Sequence, residues 1–234
     1  MTQFPDKAFD LTAVVEKLHP TRHKELIRAI KAFHAVESVG LDLTDVAASV
    51  QLLKDIDKAI SDQTSHTGNA LLTHAVIVYA RATHAQAINR FNVGVTGAYN
   101  EALKAKHREI IDLRNKCMAH FGPGKDHWHD EHVIYLETAK GNGLTVTHRR
   151  TNFSLRTIKE LDALLKVAIP HVKKLQLDRA TDLGSILHKS DKQTWDLIDK
   201  QPFDIEVFFD IPGMKARAWD EAAFTQNVWQ TNRS

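Results

Sequence analysis

Apolar residues recur at intervals of three and four along most of this chain, and only one short stretch breaks to an interval of two. That pattern restricts the fold to a mainly α protein, an up-and-down helical bundle, with a single β-hairpin inserted after the fifth helix and a C-terminal arm. Leu11 to Leu18 forms a short amphipathic segment closed by His19-Pro20, and Pro20 suits the start of the next helix, which runs to about Ser38 on Leu26, Ile27, Ile30, Phe33 and Val36. Gly40 is expected to stop that helix, and Asp42 or Thr44 to cap a third one carrying Val46, Val50, Leu53, Ile56 and Ile60. Ser61 to Gly68 reads as a polar loop. Asn69 to about Phe91 is the most apolar helix and is placed centrally, ending before Gly94 and Gly97.

A fifth helix spans about Ala98 to Met118, and Gly122-Pro123-Gly124 must terminate it. The period then becomes two. Val133 and Tyr135 alternate with Ile134 and Leu136, Leu144 and Val146 follow on a second run, and Gly141-Asn142-Gly143 between them signals a hairpin over 132–149. A long helix from about Leu155 to Leu177 follows, with Pro170 expected to kink it. Residues 1–189 are expected to form one helical domain. Residues 190–234, with a short helix around Trp195, a strand-like Ile205 to Phe209, and Trp219 and Trp229, are expected to form an arm packed on that domain or on a second subunit.

Composition narrows the function classes. A 43% hydrophobic and 26% charged chain of 234 residues suits one globular domain with appendages and excludes wholesale disorder. Its 31 Lys and Arg nearly balance 29 Asp and Glu, so any contact with a polyanion must be local. Cys117 is the only cysteine, which excludes an intramolecular disulfide and a Cys-rich zinc site and fits a reducing compartment. The first residues lack a basic segment followed by an apolar one, and the longest apolar run, Ala75 to Ala80, is too short to span a bilayer; the expectation is a cytoplasmic protein with no membrane partner.

The most informative stretch is the end of the fifth helix, Asp112-Leu113-Arg114-Asn115-Lys116-Cys117-Met118-Ala119-His120-Phe121. Arg114-Asn115 followed by Ala119-His120 resembles the signature of HEPN domains, in particular the abortive-infection-like members with an Arg-Asn…Ala-His motif. The preceding helices and the following hairpin and long helix are similar to those of several members. The resemblance implies an endoribonuclease of the toxin or phage-defence type. It would work without metal or cofactor, in a cleft between two protomers, with an antitoxin or regulatory protein as a further partner. By the same resemblance His120 is the general acid or base, Arg114 the phosphate ligand, and Asn115 a group that orients one of them or the substrate. Arg81, Lys116, Arg149 and Arg150 are the candidates to contact the RNA, and for Arg81 a buried or bridging side chain satisfied by its neighbours is the plainer role.

Six residues along a regular helix leave Arg114 and His120 about 120° apart around the axis, so convergence needs a distorted last turn or a second protomer. Two plainer roles compete: Arg114 paired with Asp112 or Glu109, and His120 capping the helix C-terminus. Two other functions compete as well. One is a non-catalytic module that binds RNA, a nucleotide or a partner protein. The other is a metal-dependent hydrolase built on His127, His129 and His132 in the His-rich stretch before the hairpin. Cys117 beside His120 raises a nucleophilic pair, against which a lone cysteine is ordinarily a small apolar side chain.

Overall fold

The computed structural model describes residues 7–56, 62–84, 90–118, 129–150 and 155–219. Among them are eight α-helices and one two-stranded antiparallel sheet, a mainly α fold with the hairpin between the fourth and fifth helices. The chain divides into two compact units, one drawn from Met1–Glu37 and Lys173–Ser234, the other from Ser38–Val172.

In the first unit Asp10 caps α1 (Leu11–Val15), its carboxylate accepting from the Thr12 and Ala13 amides. The helix after Pro20 begins later than expected, because residues 20–23 form a turn held by histidine side chains. His19 Nδ1 accepts from the Thr21 and Arg22 amides, and His23 Nδ1 accepts from the His19 amide. Val14, Leu18, Leu26, Ile30, Leu183 and Ile198 form one buried cluster, which joins α1, the start of α2 (Lys24–Ile56), the end of α5 (Leu155–His188) and α6 (Lys192–Ile198). The strand-like Ile205 to Phe209 is instead a helix, α7 (Ile205–Phe209). Asp204 caps it, and Ile205 buries itself against Met214 and Ala218 of α8 (Met214–Trp219), so the apolar run follows its cap rather than its β propensity.

Gly40 does not end a helix. α2 runs through it for 33 residues because Val36, Val39, Leu43, Val46, Val50 and Leu53 continue one buried stripe in phase, which outweighs the roughly 1 kcal/mol that glycine costs in a helix interior. Thr44, expected as a cap, donates its hydroxyl to the Gly40 carbonyl one turn back. This merger makes the expected fifth helix the fourth.

In the second unit α3 (Asp62–Thr83) takes in most of the stretch read as a loop. Gly68 is buried there, so a residue that looks like a breaker lies on the packed side of the helix. The helix assignment ends at Thr83 rather than near Phe91; 85–89 lie outside the described residues. After a left-handed Gly94 (φ 76°) and a 3-10 turn at Val95–Ala98, Asn100 caps α4 (Glu101–Leu113). β1 (His129–Thr138) and β2 (Gly141–Arg150) are longer than expected, and they pair in a register that sets Thr138 opposite Gly141. The turn is therefore Ala139-Lys140, while Asn142 and Gly143 lie within the ladder. The Thr138 hydroxyl closes that turn, donating to the Gly141 carbonyl and accepting from the Lys140 amide.

The helix after the hairpin extends past Leu177 to His188 and is continuous through Pro170. Pro170 and Lys166 are both exposed, so the carbonyl that loses its amide partner lies on the solvent side of the helix. No helix among the described residues is long and apolar enough to cross a membrane.

Candidate functional site

α4 does not end as a regular helix. Its last residue, Leu113, is buried, and Arg114–Met118 continue as a π-helical turn, a wider winding that is uncommon and often found at functional positions. The turn packs on α3 as well as on α4. It coincides with the stretch singled out from the sequence.

Arg114 is half-buried at the start of this turn, and its Nη1 donates to Asn115 Oδ1 at 2.9 Å. The plainer alternatives for Arg114 were pairing with Asp112 or Glu109. Both carboxylates have other partners: Asp112 lies 3.5 Å from the exposed Lys116 ammonium, and Glu109 accepts from Arg156 at 2.6 Å, which also donates to Glu160. Among the described residues no carboxylate pairs with Arg114, so its guanidinium keeps donors that Asn115 does not use. Ala119 and His120 lie outside the described residues, as does the side chain of Cys117.

Arg81 is on α3 but its donors are largely committed. Its Nη2 and Nε reach the two oxygens of Asp42 at 2.6 and 3.2 Å, and Arg90 adds two bonds at 3.1 Å to Asp42 Oδ2. The Asp42 side chain is only 8% exposed, Arg90 12% and Arg81 45%. Asp42, expected as a helix cap, is thus a buried anion held between two guanidiniums, an arrangement that satisfies a charge which burial would otherwise make very costly.

A second buried polar group joins α3 to α4. The Tyr79 hydroxyl is hydrogen-bonded to the Tyr99 hydroxyl at 3.1 Å and to His107 Nδ1 at 2.9 Å, with the Tyr79 and His107 rings edge to face at 5.7 Å. Burial pushes both phenols above their usual range, and burial, with His84 and Arg108 nearby, pulls the His107 imidazole down. This network was not anticipated from the sequence. One signal was present: His107 precedes Arg114 by seven residues, about 20° around the helix axis, so the two share a face of α4. His74 on α3 likewise meets the buried Ser49 hydroxyl at 3.0 Å.

The remaining candidates are placed unevenly. Arg149 and Arg150 occupy β2 positions opposite Asp130 and His129. His132 is exposed on β1, His127 lies outside the described residues, and the side chain of His129 is not described. Among the described residues no group of three or more His, Cys, Asp or Glu side chains could hold a metal ion.

The class defined by these elements is a mainly α protein with a hairpin between α4 and α5 and an arginine presented at a π turn. Comparison with protein-family models, with curated proteins and with solved structures finds no match for this chain.

Proposed function

We propose that this chain is an RNA-directed, metal-independent module of the HEPN-like kind, acting as a homodimer in the cytoplasm. The observation that carries this reading is the Arg114 guanidinium, braced by Asn115 while the neighbouring carboxylates Asp112 and Glu109 pair with Lys116 and Arg156. A guanidinium so placed can offer two parallel donors to a phosphate, which an ammonium cannot. In the proposed reaction the ribose 2′-oxygen forms a bond to the adjacent phosphorus as the 5′-oxygen leaves. The 2′ proton passes to a base, the departing oxygen takes up a proton, and Arg114 offsets the charge that gathers on the phosphoryl oxygens. His120 is the acid or base in this scheme. Toxin or phage-defence activity, with an antitoxin or regulatory protein as partner, is the proposed setting.

The same arginine supports a second reading, binding of RNA without cleavage, because a phosphate contact needs no acid or base. The deciding experiment is incubation of a mixed RNA pool with the protein in EDTA, beside Arg114→Ala and His120→Ala. Cleavage that persists in EDTA and is lost in both variants is the expected result. RNA retained by the wild type but never cut, with retention lost in Arg114→Ala alone, selects the binding module. RNA neither retained nor cut by a folded protein overturns both.

A further inference from the structure

β1 and β2 pair with each other over ten residues each, and neither strand packs on a helix to a comparable extent among the described residues. Their register sets Val133 opposite Val146 and Tyr135 opposite Leu144, and strand alternation puts all four side chains on one face. That face is open: the four residues are 75, 58, 55 and 77% exposed. Glu131 and Glu137, both exposed, flank it at either end of β1. A two-stranded ribbon is marginal in water by itself, and an apolar face of this kind marks an interaction site.

We propose that this hairpin face is a homodimer interface, covered by the same face of a second copy of the chain across a two-fold axis. Side chains of this size contribute about 150 to 250 Å² each when aromatic and somewhat less when aliphatic, so the face offers on the order of 500 Å². Two copies together then bury about 1,000 Å², the lower limit for a specific interface. An apolar sheet face can be complementary to a second copy of itself, since two such faces stack with interdigitating side chains, and a two-fold contact needs only one kind of surface. The flanking glutamates argue against an anionic lipid surface as the occupant. This inference rests on the dimeric part of the proposed function and names one surface for it.

The test is the mass of the full-length protein by light scattering across a dilution series. The wild type is expected to be a dimer, and Leu144→Glu with Val146→Glu should raise the dissociation constant by roughly a hundredfold or more. Thr145→Glu, on the opposite face beside Ile134, should leave the dimer intact. Val133→Thr with Tyr135→Thr keeps strand propensity and should also weaken the dimer, which guards against a folding failure in the glutamate variant. A wild-type dimer that both face variants form equally well overturns the hairpin interface while the dimeric reading stands. A wild-type monomer at every concentration overturns both.

Discussion

Replacing Asp42 by alanine tests the energetic logic of the buried clamp. Its carboxylate takes four hydrogen bonds from two arginines, and its removal strands them to different degrees, because Arg90 is 12% exposed and Arg81 45%. Breaking a buried ion pair from one side costs about 3–5 kcal/mol, most of it from the charge left behind. Arg81 can turn to water and Arg90 cannot, so the lower end, about 3 kcal/mol, is expected. For a slope near 2 kcal/mol per molar urea this moves the unfolding midpoint down by about 1.5 M. The assay is urea denaturation followed by far-ultraviolet circular dichroism on Asp42→Ala and on two double variants. Adding Arg90→Met should recover at least half of the loss, and adding Arg81→Met should recover little. Equal rescue by both, or a cost below about 1 kcal/mol for Asp42→Ala, would refute the argument that the loss comes mainly from the buried Arg90 charge left without its partner.

Three other outcomes are expected. Under the proposed ribonuclease reading, Arg114→Lys should lower RNA cleavage about a hundredfold and Asn115→Ala about tenfold, measured as initial rates on one substrate; full activity in Arg114→Lys would remove the case for bidentate phosphate contact. Burial holds His107 below its ordinary value of 6.5, so the unfolded chain binds that proton first as pH falls. The stability His107 contributes is therefore complete above 6.5 and is lost as pH drops from there through the lowered folded-state value. The wild type should lose more stability than His107→Gln between about pH 8 and about pH 5, read as the difference in urea midpoints, and parallel curves would contradict this. Thr138→Val removes both hydroxyl bonds at the hairpin turn and should cost about 1 kcal/mol, seen as faster amide exchange confined to β1 and β2; unchanged exchange would show the turn holds without it.

Periodicity made the helices and the hairpin legible, because a buried stripe and an alternating strand each repeat over many residues. Single-residue punctuation misled. Gly40 and Gly68 carry breaker chemistry but sit in helices whose packed faces continue past them, a tertiary effect with no local mark. Ile205 to Phe209 has strand-like residues, yet Asp204 before it and the left-handed Asp210 after it delimit one short helix. Arg114 and Asn115 were legible as a pair because they are adjacent. The Asp42 clamp joins residues 39 and 48 positions apart, and the tyrosine–histidine network joins residues 20 and 28 apart, separations at which sequence alone offers no partner. His107 could have been found from its spacing to Arg114, had the face it shares with Arg114 been followed backward along α4.

The π turn at Arg114–Met118 makes this segment sensitive to length in a way that the rest of α4 is not. A π turn amounts to one residue more than an α turn needs, so deleting a single residue there would restore an ordinary helix instead of breaking one. The deletion would keep every side chain before Arg114 in place and, because five residues of π winding turn through about the same angle as four of α winding, would leave the phase at the end of the turn nearly unchanged. Loss of one residue at this point would therefore remove the widened turn that presents Arg114 and Asn115 while sparing the helix before it, a lesion that substitution scanning does not produce.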